Sequence, residues 1–73
     1  MLNVVIQSGN DLYKETLVAY ACIGNTIKYR TSDGGQSHIT YESHNRAKEI
    51  FKDMTEFEAE YPNDVMWLPK GVE

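Results

Sequence analysis

Asp53, Glu56 and Glu60 are spaced three and four residues apart, so on a helix their carboxylates share one side, and Asp64 follows one turn later. Carboxylates so placed can chelate a hard cation, or imitate nucleic-acid phosphates and occupy a basic groove on a nuclease or repressor. No calcium-hand loop pattern accompanies them, so no metal site is assigned and the second chemistry is favoured. The bland alternative is a solvated acidic face.

Other constellations are poorer. Cys22 is the only cysteine, which excludes an internal disulfide framework and a cysteine-based zinc site, and fits a reducing compartment. His38 and His44 fall on different elements, and neither is read as a ligand. No Ser, His and Asp set sits in a nucleophile motif, and Gly34 and Gly35 precede a strand rather than a helix, so they are turn glycines and not a phosphate cradle. The chain is read as non-enzymatic, with no cofactor. Lys28, Arg30 and Arg46 are an alternative set, able to hold a small anion such as a nucleotide at a subunit boundary. Tyr20, Tyr29 and Tyr41 would be a stacking platform for single strands if they shared a face with those cations; the register predicted below separates them.

The elements that position these groups follow from pattern. Ala47, Ile50, Phe51, Met54, Phe57 and Glu58 recur at helical spacing between Ser43, a predicted N-cap, and Tyr61, ahead of Pro62. Basic residues (Arg46, Lys48, Lys52) occupy the first half of this helix and acidic ones (Asp53, Glu56, Glu58, Glu60) the second, the reverse of what the helix dipole favours. Local stability did not select that order; a partner surface is one agent that would.

Leu2 to Gln7 reads as a strand closed by Ser8, Gly9 and Asn10. Asp11 to Ile23 fits either a helix or, as favoured here, a strand from Thr16 to Ile23 that hairpins at Gly24 and Asn25 into Thr26 to Thr31. Gln36 to Tyr41 is the next strand. A three-residue loop at Asp33 to Gly35 pairs Tyr29 with Ile39 and Ile27 with Tyr41. Val18, Tyr20, Cys22, Ile27, Tyr29, Ile39 and Tyr41 then form the core face. Leu17, Ala19, Ala21 and Ile23 fall on the reverse face, where either something else covers them or they form a homo-oligomer interface.

The predicted fold is therefore α+β: an antiparallel four-stranded β-meander covered by one C-terminal amphipathic helix (ββββα), with residues 1–61 as the domain and 62–73 as a short ordered tail. In that tail Trp67 is expected to fold back and seal the core, or alternatively to anchor a partner.

Composition narrows the partners. The 73 residues carry seven Lys and Arg against eleven Asp and Glu, a net charge of −4. Residues 1–52 amount to +1 and residues 53–73 to −5. Such a balance excludes a general duplex-DNA binder, which needs a basic stripe. No apolar run approaches a membrane span and no signal pattern opens the chain, so a cytoplasmic location is expected.

Val4 to Asn10 (Val-Val-Ile-Gln-Ser-Gly-Asn), then a meander, then Tyr41 to Met54 with Ser43, Arg46, Ala47, Ile50 and Phe51, resembles the small uncharacterised proteins of bacteriophages and integrated mobile elements. The resemblance covers the first fifty-odd residues and implies a strand meander under one helix, with no known active site. From its acidic helix face the chain is read, apart from the resemblance, as a phage- or mobile-element-encoded protein of the host cytoplasm that binds and inhibits a host macromolecule, a host protein first, with Asp53, Glu56, Glu60, Asp64 and Trp67 as the docking residues. A structural or assembly role is the remaining alternative. The acidic extension and the Trp67 segment depart from the family pattern, so what is particular to this chain is expected there.

Overall fold

The structure, a computed structural model, describes residues 1–72. The elements run β1 (Leu2–Ser8), β2 (Asp11–Ile23), β3 (Thr26–Thr31), β4 (Gln36–Thr40), α1 (His44–Glu60) and β5 (Val65–Trp67). They form one five-stranded sheet in the order β4-β3-β2-β1-β5, with the helix packed on one side. The meander β1 to β4 is antiparallel as the turns require, but β5 returns parallel to β1, so the sheet is mixed. The expected four-stranded antiparallel sheet is corrected in that respect. Three residues after Pro62 are extended enough to add an edge strand, a segment too short to be seen as one by alternation.

The strand reading of Asp11–Ile23 holds over its whole length, five residues further toward the N-terminus than Thr16. Its start is set by the two-residue turn Gly9-Asn10, which pairs Ser8 directly with Asp11. Gly9 and Gly24 take φ of 62° and 61° as the first central residues of their hairpins, where glycine is the residue without a steric penalty. The Gly24-Asn25 hairpin pairs Tyr20 with Tyr29 and Cys22 with Ile27, as its length dictates.

Two register details differ from expectation. Leu17 pairs with Thr31 and Ala19 with Arg30, leaving Val18 as the extra residue of a β-bulge. Because side chains alternate, one extra residue shifts every position N-terminal to it to the other face. Leu17 is consequently fully buried in the core opposite Leu2, whereas Val18, predicted inside, is 45% exposed. The second difference is the β3–β4 loop, which spans Ser32 to Gly34 rather than Asp33 to Gly35. Asp33 Oδ1 accepts bonds from the Thr31 hydroxyl and the Gly35 amide, while the Thr31 amide donates to the Gly35 carbonyl at 2.8 Å. Tyr29 therefore pairs with Ser37 and Ile27 with Ile39, two residues from the predicted register. A shift of two preserves the faces, so Tyr20, Cys22, Ile27, Tyr29, Ile39 and Tyr41 still belong to the core side.

Helix α1 begins as predicted, with the Ser43 hydroxyl accepting from the Arg46 amide at 3.1 Å. Ala47, Ile50 and Met54 are fully buried, and Phe51 and Phe57 pack at the margin of the same cluster. Beyond the helix, the expected seal is made by another residue than Trp67. Leu68 is buried and Met66 half-buried, while Trp67 is 56% exposed on the opposite side of the sheet, because adjacent strand residues face opposite ways. The chain then crosses the core side of the sheet as a strap. The Pro69 carbonyl accepts from the Tyr41 hydroxyl at 2.9 Å, and the Val72 amide donates to the Thr40 carbonyl at 2.9 Å. Gly71 lies so close to β4 that a Cβ there would come within 2.5 Å of the Thr40 carbonyl oxygen.

The bulge makes a direct prediction for equilibrium unfolding in urea. Leu17→Ala should cost about 2–5 kcal/mol, as expected for a leucine removed from a packed core. The neighbouring Val18→Ala should cost no more than about 1 kcal/mol. Equal losses at the two positions would contradict the assigned register.

Candidate functional surfaces

The helix carries its apolar stripe toward the sheet and therefore turns Asp53, Glu56 and Glu60 to solvent, all three exposed on one flank. None lies within ion-pair distance of a cation; among the described residues the ion pairs are Met1–Glu58, Arg46–Glu42 and Arg46–Glu49. Glu49, four residues before Asp53, belongs to the same flank and extends it, although Arg46 stands 3.6 Å from its carboxylate. The i, i+4 spacing was available in the sequence to place it there. Asp64 is exposed in the turn after the helix, its amide donating to the Tyr61 carbonyl at 3.1 Å.

Glu58 shows what a structurally committed carboxylate looks like by comparison. It accepts from the Tyr20 hydroxyl at 2.7 Å and lies 3.1 Å from the Met1 ammonium. The hydrogen bond from Tyr20, followed by that from Met1, holds its pKa below the usual carboxylate value. On the other partner, burial first and the neighbouring Glu58 second push the Tyr20 hydroxyl up to about 12. Burial likewise pushes Tyr41 up to about 12. The Thr31 hydroxyl and the Gly35 amide hold Asp33 low, so its role is to fix the loop.

The reverse face of the sheet is left uncovered by the described residues. By alternation from the buried Val4, Leu17 and Ile27, it presents Val5 on β1, Leu12 and Lys14 on the first half of β2, and Ala19, Ala21 and Ile23 on the second half. Lys28 and Arg30 come from β3, His38 from β4 and Trp67 from β5. Lys14 was missed by sequence reasoning because the strand was started at Thr16. The predicted homo-oligomer set is divided: Ala19, Ala21 and Ile23 are on this face, and Leu17 is in the core on account of the bulge.

The alternative anion-binding set is divided too. Lys28 and Arg30 lie on the open face, while Arg46 is on α1, across the sheet, bridging Glu42 and Glu49. The docking set is split in the same way, because Trp67 is on the open face and the helix carboxylates are not. Cys22 and His38 are on opposite faces, as their positions in the strands require. Among the described residues no three His, Cys, Asp or Glu side chains converge to hold a metal ion, and no helix is long and apolar enough to cross a membrane.

A cleft of about 670 Å³ remains on the core side where helix and strap stop short, lined by Ile6, Tyr13, Glu15, Tyr29, Ser37 and Lys70 among others. Comparison with family models, with curated proteins and with solved structures finds no match for this chain.

The raised tyrosine pKa values set an alkaline limit. Below about 10 both folded and unfolded chains keep these phenols protonated, and the native state loses nothing. Between about 10 and about 12 the unfolded chain ionises first, so native stability falls as pH rises. Urea midpoints measured across that window should decline, and the decline should be shallower in Tyr20→Phe. A pH-independent midpoint would contradict the burial of the two phenols.

Proposed function

We propose that this protein is a non-enzymatic docking protein, encoded by a phage or mobile element, that binds and blocks a host protein through Asp53, Glu56 and Glu60. The observation that carries the reading is the solvent-exposed, ion-unpaired state of these three carboxylates on one helix flank. They span about 10 Å of helix axis. A row of negative charge of that length on a rigid element suits a basic groove that ordinarily receives phosphates, and occupying the groove is inhibition enough. Asp64 adds charge at the C-terminal end of the row, and Glu49 does so at the other end.

Energetics support a functional cause for the row. The first turn of α1 contains no acid and the last turn no base, and Glu58 and Glu60 sit at the dipole's negative end. Glu58 is compensated by Tyr20 and Met1. Glu60 is not, so its carboxylate is retained against local stability.

The test separates binding from folding. In Glu56→Lys/Glu60→Lys, retention of basic host proteins from a bacterial lysate should be lost, with the wild-type complex dissociating as salt is raised. Thermal stability should stay level or rise, since relieving the dipole conflict at position 60 is worth about 0.3–1 kcal/mol. Partner binding that survives the double reversal would overturn the proposal.

A further inference from the structure

The open face of the sheet has a chemistry opposite to that of the helix flank. It carries Lys14, Lys28 and Arg30, none within ion-pair distance of an acid among the described residues, and no carboxylate stands among them on the described strands of this face. It also carries the chain's single tryptophan, more than half exposed on an edge strand that packs its neighbours Met66 and Leu68 inward. The pairing aligns Trp67 with Val5 and Val5 with Lys14 in one row across β5, β1 and β2. A second row runs from Ala21 through Lys28 to His38, and a third from Ala19 through Arg30 to Gln36. The small side chains of Ala19 and Ala21 beside the long Lys28 and Arg30 leave a shallow trough of about 440 Å³ that also reaches His38.

We propose that this face binds single-stranded nucleic acid, with Trp67 stacking on a base and Lys14, Lys28 and Arg30 holding phosphates. Lys14 and the Ala19 position beside Arg30 are five residues apart along β2, but the bulge at Val18 reduces this to four strand steps, about 14 Å. That separation accommodates a short run of nucleotides and is less than half of the roughly 34 Å turn of a duplex. An aromatic face accepts only unstacked bases, which selects single strands, and a sheet face with cations and an aromatic is a surface on which such strands lie flat. The acidic helix does not forbid it. The molecule measures 29 × 26 × 20 Å, and charges are screened over about 8 Å at physiological ionic strength.

A second copy fits the face less well. Isologous sheet-to-sheet packing would bring both sets of cations together without a carboxylate between them. The centre of the face is polar, since the Thr16 hydroxyl donates to Asn3 Oδ1 at 2.8 Å, so the apolar side chains do not join into one patch.

The experiment is titration of the full chain with oligothymidylate, followed by tryptophan fluorescence and by anisotropy of a labelled strand. Quenching should accompany binding, because Trp67 is the only tryptophan. Three phosphate contacts predict a log–log salt slope of about −2. Lys28→Glu/Arg30→Glu should weaken binding at least about tenfold without moving the thermal transition, and the milder Lys28→Gln/Arg30→Gln should do so in part. Glu56→Lys/Glu60→Lys should keep binding, so this proposal and the docking proposal fail separately. Absence of quenching, equal affinity for duplex, or indifference to both Lys28/Arg30 variants would overturn it. So would a concentration-dependent dimer that the Lys28→Glu/Arg30→Glu change dissolves and oligothymidylate does not affect.

Discussion

The architecture depends on one extra residue in β2. This strand serves two hairpins at once, pairing its first half with β1 and its second half with β3. In an unbroken strand Leu17 and Tyr20 would face opposite ways. The bulge at Val18 puts Leu17 beneath the helix with Leu2 and Val4, while Tyr20 and Cys22 stay beneath it with Ile27 and Tyr29. Two hairpins that would otherwise present their apolar sides to opposite faces thereby share one core. Val18 is left outside, and beside it the second half of β2 presents Ala19 and Ala21 against Lys28 and Arg30 of β3, with Leu17 removed to the core.

One helix covers one side of the sheet, and that asymmetry generates both surfaces considered above. A helix of 17 residues is about 25 Å long, enough to cross five strands spaced at about 4.8 Å. It cannot cover the length of β2 as well, and the strap from Leu68 to Val72 covers part of the remainder, tied to Tyr41 and Thr40. The hairpin ends beyond it are left as a cleft. Among the described residues nothing covers the reverse face. Among the same residues, Asp53, Glu56 and Glu60 stand without ion-pair partners on a helix that also carries the exposed Lys48 and Lys52, and Lys14, Lys28 and Arg30 stand without ion-pair partners on the reverse of the sheet. The proposed partners follow these two groups, a basic protein for the helix carboxylates and a polyanion for the sheet cations.

What could be read from the sequence was whatever a local rule controls. The helix from its Ser43 cap, the stripe Ala47, Ile50, Phe51, Met54 and Phe57, and the Gly24-Asn25 hairpin with its register all follow from side-chain type and spacing within a few residues. The faces of β3 and β4 also came out correctly, because displacing a three-residue loop by one position changes the register by two. The bulge was out of reach: Leu17 and Val18 are both apolar, and only pairing with Leu2, fifteen residues before Leu17, decides which is buried. The tail failed for a similar reason. Among Met66, Trp67 and Leu68 the largest side chain looked like the seal, but pairing with β1 turns alternate residues inward and leaves Trp67 out. The carboxylate flank was visible from helical spacing alone, whereas the row of Trp67, Val5 and Lys14 exists only once three strands are assembled.

The central claim is that Val18 is the bulged residue and that Leu17 and Tyr20 consequently share the helix side. Proton–proton distance restraints from NMR test it most directly. The account predicts strong contacts from the Leu17 methyls to the buried side chains of α1 and to Leu2, with none from Val18 to the helix. Contacts from Val18 to Ile50 or Met54, with Leu17 exposed, would contradict it and would return the apolar residues to the face now read as open.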